Sequence, residues 1–138
     1  MPRFVILRHE TPPGYVRPAH YDLMLEWGQS LRTWAMLQMP TAGVSVTAEE
    51  LPPHRREYLN YEGELSAGRG RVSRCAAGEF QILAEKADFL RLRIASPSLT
   101  GTLEMARESA ASPIWTAVLA APVEGPGGPV APEMLDTR

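Results

Sequence analysis

The chain has a single cysteine, Cys75, so it cannot form an internal disulfide, and this favours a reducing compartment such as the cytoplasm. No stretch approaches the roughly 18 apolar residues of a membrane-spanning helix, and the apolar stretch near the N-terminus is too short for a signal peptide. Lysine is nearly absent too, since Lys86 is the only one among 14 basic residues. The formal net charge of −2 excludes a generally basic nucleic-acid binder, so any contact with nucleic acid is expected to be local.

The rest of the composition is that of one globular domain. With 138 residues, 44% of them hydrophobic, the chain can bury a core without metal or disulfide support. Residues 1–120 are expected to form that domain. In residues 121–138, proline and glycine fill seven of the 18 positions, which predicts an extended or disordered tail.

Short β-branched and apolar stretches separated by glycine, proline and serine turns dominate the domain. The predicted strands span residues 3–9, 20–27, 31–39, 44–47, 70–74, 79–84, 89–95, 99–106 and 114–120. Short helical turns are predicted at residues 49–51 and 55–58, on either side of Pro52-Pro53. Trp34 and Trp115 lie in apolar strands and are predicted to belong to the core. This pattern is mainly β and favours an antiparallel barrel or sandwich.

Three side chains of the kind that bind metals fall on the first two predicted strands. His20 and Asp22 are two residues apart, so on a strand they project from the same face, and His9 ends the preceding strand. If the two strands are neighbours, His9 lies beside the pair. Two imidazoles and one carboxylate with open positions suit a catalytic zinc or manganese ion, whereas a hydrogen-bonded surface pair is the alternative.

A second polar region begins at His54. Together with Arg55 and Tyr58 it has the groups to hold a phosphate through charge-assisted hydrogen bonds, although a solvated turn of mixed charge would have the same composition. The small-residue loop that follows carries Arg69 and Arg71 and is a candidate for contact with a nucleic-acid backbone. The sequence of this loop matches neither the Walker motif nor the glycine-rich motif of dinucleotide-binding proteins.

Several short motifs occur in a fixed order along residues 3–120. They are RFVILRH at 3–9, HYDLMLE at 20–26, TWA at 33–35, His54 with EY at 57–58, YEG at 61–63, and LTGTL at 99–103 followed by Trp115. In this order and spacing the chain resembles the 3′-phosphoesterase domain of bacterial DNA ligase D, as a free-standing and diverged member.

The resemblance implies a compact antiparallel β-barrel that repairs nucleic-acid 3′ ends in non-homologous end joining, by removing a 3′-phosphate or a terminal ribonucleotide. It implies a divalent metal, manganese first and zinc or cobalt as alternatives, on His9, His20 and Asp22. His54 and Tyr58 would bind the phosphate and act in catalysis. The implied partners are the 3′ ends of DNA or of a DNA/RNA primer–template, with a repair ligase or polymerase beside them in the bacterial cytoplasm, and no membrane.

Basic positions of that family are replaced in this chain by Met24 and by Gln38, and a third basic position falls near Val46. Arg17, Arg55 or Arg56 is expected to supply a replacement guanidinium at the phosphate. The retained ligand trio favours an enzyme. The lost cations favour the alternative, a non-catalytic module that keeps the barrel and the metal site and binds nucleic-acid ends or a protein. A third hypothesis is a cupin-like metal oxygenase that binds its metal through the same three residues.

Overall fold

A computed structural model describes residues 1–122 of the chain, so the predicted tail of residues 121–138 lies outside the described residues except for its first two positions. The described residues form nine strands and two single 3-10 turns. In chain order these are β1 (Arg3–Glu10), β2 (His20–Trp27), β3 (Ser30–Met36), β4 (Ser45–His54), a 3-10 turn (Arg56–Leu59), β5 (Gly63–Glu64), a second 3-10 turn (Ser66–Gly68), β6 (Arg71–Lys86), β7 (Phe89–Ala95), β8 (Thr100–Ala106) and β9 (Ile114–Ala120). Among these residues no helix has the length and apolar character needed to cross a membrane.

Eight of the strands close into an antiparallel β-barrel, which confirms the predicted fold class. The neighbours follow the order β1-β2-β3-β4-β9-β8-β7-β6, and β6 also pairs with β1, which closes the ring. The short β5 pairs with the beginning of β6. Closure gives the barrel strands partners on both sides, so that their backbone groups are satisfied without an exposed sheet edge.

Apolar side chains form one cluster inside the barrel and a second on its outer face. In the interior, Trp34 and Trp115 are fully buried and meet edge to face with ring centroids 5.8 Å apart, which confirms their core prediction. Side chains alternate across a strand, so the neighbours of interior residues point outwards. The outer cluster comprises Val5, Leu7, Met24, Leu31, Leu59 and Val72. Leu59 belongs to the 3-10 turn after β4, so this connection covers one side of the barrel.

Two predictions about individual elements are wrong. The helical turn expected at residues 49–51 is instead part of β4, because these residues pair with Thr33, Trp34 and Ala35 of β3. The strand tolerates Pro52-Pro53 because the register shifts there, where no ladder N–H is required. The two strands expected at 70–74 and 79–84 are the single strand β6, whose first half pairs with β1 and whose second half pairs with β7.

Candidate functional site

β1 and β2 bring the three predicted metal ligands together on the outer face of the barrel. Their antiparallel register pairs His9 with His20 and Leu7 with Asp22. The two imidazole rings meet edge to face with centroids 4.9 Å apart. All three polar side chains are buried, on the same face as Leu7 and Met24 of the outer cluster. The strand pairing that the prediction required is therefore present.

The three side chains present a set of donor atoms that could hold a metal ion. One ligand atom from each of His9, His20 and Asp22 lies within 4.8 Å of the other two. The Nδ1 atom of His9 is 3.8 Å from Oδ2 of Asp22, and Nε2 of His20 is 3.2 Å from Oδ1. Oδ1 of Asp22 is buried without a hydrogen-bond partner among the described residues. Burying a carboxylate oxygen without a partner costs free energy unless a cation binds it. The three residues therefore fit a bound metal.

Backbone carbonyls determine which nitrogen of each imidazole is available. Nε2 of His9 lies 2.8 Å from the carbonyl oxygen of Arg69, and Nδ1 of His20 lies 2.8 Å from that of Pro18. A carbonyl oxygen only accepts, so in each case the ring nitrogen beside it carries the proton. The other nitrogen of each neutral ring then directs its lone pair towards Asp22. Metal-binding histidines are oriented by this type of contact.

Charge within the site is governed by Asp22 and by an adjacent ion pair. Burial disfavours the imidazolium form of His20, but contact with the Asp22 carboxylate and attraction to it outweigh burial and raise the pKa of His20. Arg17 donates a hydrogen bond of 2.8 Å to Glu49, which raises the pKa of Arg17 and lowers that of Glu49. Arg17 therefore stays cationic beside the trio.

The trio lines a pocket of about 150 Å³, which we call the metal pocket. It includes residues from the segments that flank β2 and β4 as well as from the strands. Besides the trio, its polar lining consists of Tyr15, Arg17, His54, Tyr58 and Arg69. Three of the predicted phosphate-binding residues, Arg17, His54 and Tyr58, thus share one pocket with the predicted metal ligands.

His54 ends β4, and a backbone carbonyl orients its ring as in His9 and His20. Its Nδ1 lies 2.9 Å from the carbonyl oxygen of Pro52, which therefore accepts a hydrogen bond from Nδ1 and leaves Nε2 available. Tyr58 lies in the following 3-10 turn, with its ring centroid 6.0 Å from that of His54. The buried side chain of Leu59 anchors this turn in the outer cluster. A free imidazole nitrogen and a phenol therefore lie side by side in the pocket.

The structure does not bring the other two arginine candidates to the pocket. The guanidinium of Arg55 is exposed and lies 3.4 Å from the carboxylate of Glu57. Arg56 donates to the backbone carbonyl of Gly28 at 3.1 Å and to the carboxylate of Glu26. Gln38 lines a neighbouring groove and not the metal pocket. Of the three replacement cations predicted from the sequence, Arg17 is the one that reaches the site.

Two polar residues of the pocket, Tyr15 and Arg69, are not among the predicted metal ligands or phosphate-binding residues. The ring of Tyr15 lies 6.0 Å from that of His9, held by a turn in which the Tyr15 amide donates to the carbonyl of Pro12. The sequence predicts contact of the Arg69 guanidinium with a nucleic-acid backbone, but in the structure this guanidinium donates to Ser66. It is the backbone carbonyl of Arg69 that orients His9. The Pro-Pro-Gly sequence before Tyr15 indicates a turn, but it does not indicate that the Tyr15 side chain points towards His9.

Comparison with known proteins gives no assignment for this site. No protein-family model matches the chain, and no curated protein matches it. The function of the site is therefore inferred from its residues and from the order of motifs in the sequence.

Proposed function

We propose that this protein is a divalent-metal-dependent phosphoesterase that processes nucleic-acid 3′ ends by removing a 3′-phosphate or a terminal ribonucleotide. The observation that carries the proposal is the shared pocket, in which the trio of metal-binding side chains lies beside His54, Tyr58 and Arg17. A cation next to an imidazole, a phenol and a guanidinium is a set suited to a phosphoryl group. The motif order supplies the substrate class, a nucleic-acid 3′ end.

The donor set of two imidazoles and a carboxylate accepts manganese, zinc or cobalt. Manganese is our first candidate because the resemblance to the ligase D phosphoesterase domain implies it. When bound, the metal would polarise a phosphoryl oxygen and lower the pKa of a coordinated water. The protein contributes the orientation of the ligands, because the carbonyls of Pro18 and Arg69 keep His20 and His9 in the required tautomers.

The remaining polar side chains would bind the phosphate and move the proton. Nε2 of His54, when protonated, donates a hydrogen bond to a phosphate oxygen and can pass its proton to the departing 3′-oxygen. The Tyr58 hydroxyl offers a second donor. Met24, Leu65 and Val72 form apolar parts of the lining, and they exclude water from one side of the pocket, which strengthens each electrostatic contact there.

One observation favours the alternative of a non-catalytic module that binds nucleic-acid ends or a repair protein. Both arginines that line the metal pocket are already engaged, Arg17 with Glu49 and Arg69 with Ser66. A phosphate entering the pocket must share Arg17 with Glu49. Catalysis through this site therefore depends mainly on the metal, His54 and Tyr58.

The test is phosphate release from a 3′-phosphorylated primer–template with added Mn²⁺, repeated with Zn²⁺ and Co²⁺. We expect release by the natural protein and its loss in His9→Ala and His54→Ala. Arg91→Ala is the matched control, because its guanidinium pairs with Glu104 and lines no part of the pocket, and it should retain full activity. Folded, metal-loaded protein that releases no phosphate with any of the three metals would refute the 3′-phosphatase activity. If the same protein also fails to remove a terminal ribonucleotide from the primer, the enzyme is refuted and the binding module is favoured.

A further inference from the structure

A groove of about 450 Å³ adjoins the metal pocket on the same outer face of the barrel. We call it the lateral groove, and it shares Arg17 and His20 with the metal pocket. Strand pairing shows its direction. Asp22 pairs with Ala35, Ala35 with Glu49, and Glu49 with Ile114, so one row of outward-facing residues crosses from β2 to β9. The lateral groove therefore leads sideways from the metal ligands across the barrel wall.

The surface of the lateral groove is more apolar than polar and carries little net charge. Ala35 is short and buried, Thr47 is short and exposed, and Leu37 and Ile114 are large apolar side chains that are 71% and 47% exposed. Among the described residues that line it, Arg17 is the only side chain with a permanent positive charge, and its partner Glu49 lies in the same groove. Such a surface offers little attraction to a chain of phosphates.

We propose that the lateral groove binds the terminal nucleoside of the substrate, the one that carries the 3′-phosphate held at the metal pocket. This inference rests on the proposed function and adds to it which part of the substrate strand the protein binds. A volume of about 450 Å³ is within the range of small-molecule sites, and a nucleoside is uncharged. The base would pack against Leu37 and Ile114, and Thr47 and Glu49 offer polar atoms to the sugar hydroxyls.

The charge of the groove has a further consequence for substrate length. Since no second permanent cation lines the groove among the described residues, the next phosphates of a strand gain little there. One 3′-phosphorylated nucleotide should therefore bind nearly as tightly as a longer strand, and its binding should depend only weakly on salt.

The experiment compares three probes that cannot be hydrolysed, on protein saturated with Mn²⁺. They are methylphosphonate, an adenosine analogue with a methylene phosphonate at the 3′ position, and a hexanucleotide that ends in the same group. Calorimetry measures each Kd. We expect the nucleoside to improve binding over methylphosphonate by about tenfold or more, as for a buried apolar contact of that size. The hexanucleotide should bind within about threefold of the single nucleotide.

Substitutions in the lateral groove test whether the added affinity for the nucleoside comes from this surface. Leu37→Ser changes an exposed side chain and should weaken binding of the nucleoside probe by about threefold or more without changing methylphosphonate. Thr47→Leu, which removes a hydroxyl and narrows the groove away from the metal ligands, should have the same selectivity. Leu83→Ser is the matched control, an exposed leucine on β6 that does not line the groove.

The outcomes separate the two proposals. If methylphosphonate binds but the nucleoside adds nothing, or if Leu37→Ser and Thr47→Leu leave the nucleoside probe unaffected, the lateral groove is not the nucleoside site and the proposed function stands. A hexanucleotide that binds about 100-fold tighter than the single nucleotide would also overturn the inference, since it would require further phosphate contacts. If none of the probes binds to the metal-loaded protein, both proposals fail.

Discussion

The ring of His9 is hydrogen bonded through Nε2 to the backbone carbonyl of Arg69, 2.8 Å away, although 60 positions separate the two residues in the sequence. This contact makes the loop before β6 part of the proposed metal centre, because it determines which nitrogen of His9 points to Asp22. The loop in turn is held by Gly70, whose carbonyl accepts a hydrogen bond from the Leu65 amide at 2.8 Å. The metal affinity should therefore respond to changes in a loop that supplies no side chain to the ion.

The first prediction concerns Gly70→Ala. Gly70 has a φ of +96°, and a Cβ at this position would overlap the backbone carbonyl oxygen of Glu10, so the loop must shift and carry the Arg69 carbonyl with it. We expect the Mn²⁺ affinity to fall by about 10- to 100-fold, as for the loss of a group that orients a ligand. Calorimetric titration of Mn²⁺ measures this, with circular dichroism to verify the barrel.

Gly68→Ala is the control for that change. Gly68 also has a positive φ, of +68°, but no atom lies within 4 Å of a Cβ there. The substitution therefore imposes only a backbone cost of about 1 kcal/mol and leaves the carbonyl of Arg69 in place. An equal loss of metal affinity in Gly68→Ala and Gly70→Ala would show that the close approach to Glu10 is not what matters.

The second prediction concerns Asp22→Asn. The substitution keeps the shape of the side chain but removes the charge and puts an amide where Oδ1 lacks a hydrogen-bond partner. At a pH where His20 is neutral, the metal-free variant should unfold at a temperature equal to or above that of the natural protein, because a buried carboxylate that the His20 imidazolium no longer compensates is gone. The stabilisation by metal, about 2.7 kcal/mol at 100 times Kd, should disappear.

Thermal unfolding with and without Mn²⁺ measures both effects. Asp88→Asn is the matched control, an exposed aspartate outside the site, and it should retain the full metal-induced shift. An Asp22→Asn protein that is stabilised by Mn²⁺ as strongly as the natural one would rule out this carboxylate as a ligand.

The third prediction is the pH dependence of metal binding. The pKa of His20 is raised from 6.5, since contact with Asp22 and attraction to it outweigh burial. A metal binds the neutral imidazole, so protons compete below the pKa, and a raised pKa starts this competition at a higher pH than for an ordinary histidine. Mn²⁺ affinity should therefore be constant at high pH and fall as the pH drops through the raised value.

Titrations of Mn²⁺ at several pH values test this expectation, and the imidazole proton resonances of the metal-free protein report the pKa of His20 directly. With one competing proton the affinity should decline by about tenfold per pH unit below the pKa. An affinity that stays level well below pH 6.5 would contradict the assignment of His20 as a ligand.

The sequence predicts those features of this fold that depend on near neighbours. β2, β7 and β9 have the bounds predicted from the alternation of apolar and polar residues, because a half-buried strand imposes that period locally. The His9, His20 and Asp22 cluster follows from the same local rule once the two strands pair. β6 was predicted as two strands, because only the closure of the barrel supplies partners along its whole length.

Side chains in the loops were less predictable, since their directions depend on distant partners. Arg17 and Arg55 were equal candidates in the sequence. Glu49, on another strand, holds Arg17 at the pocket, whereas Glu57 holds Arg55 in solvent. Tyr15 reaches His9 only because the turn at Pro12 directs it inwards. No local pattern carries this information.

The last prediction addresses stability at a polar cluster that is distinct from the metal pocket. Glu50 of β4 accepts a hydrogen bond from Nε1 of the fully buried Trp115 at 2.9 Å and from Nε of Arg32 at 2.8 Å. The Arg32 guanidinium also lies over the Trp34 ring, 5.0 Å from its centroid. The carboxylate thus ties β3 to β9 through β4, and the Arg32 and Glu50 side chains are only 19% and 20% exposed.

Glu50→Ala removes both acceptors and leaves the Trp115 indole N–H and the Arg32 guanidinium without their partner in a mostly buried position. It also removes the carboxylate 3.5 Å from the Arg107 guanidinium. Lost hydrogen bonds to charged groups cost about 1.5–3 kcal/mol, so we expect the free energy of unfolding to fall by roughly that amount in urea denaturation. Glu104→Ala is the matched control, because its 2.7 Å pair with Arg91 is 48% and 43% exposed and should contribute at most about 1 kcal/mol. Equal losses in the two variants would mean that burial does not determine the strength of these ion pairs, and that the Glu50 cluster does not stabilise the barrel more than a surface contact does.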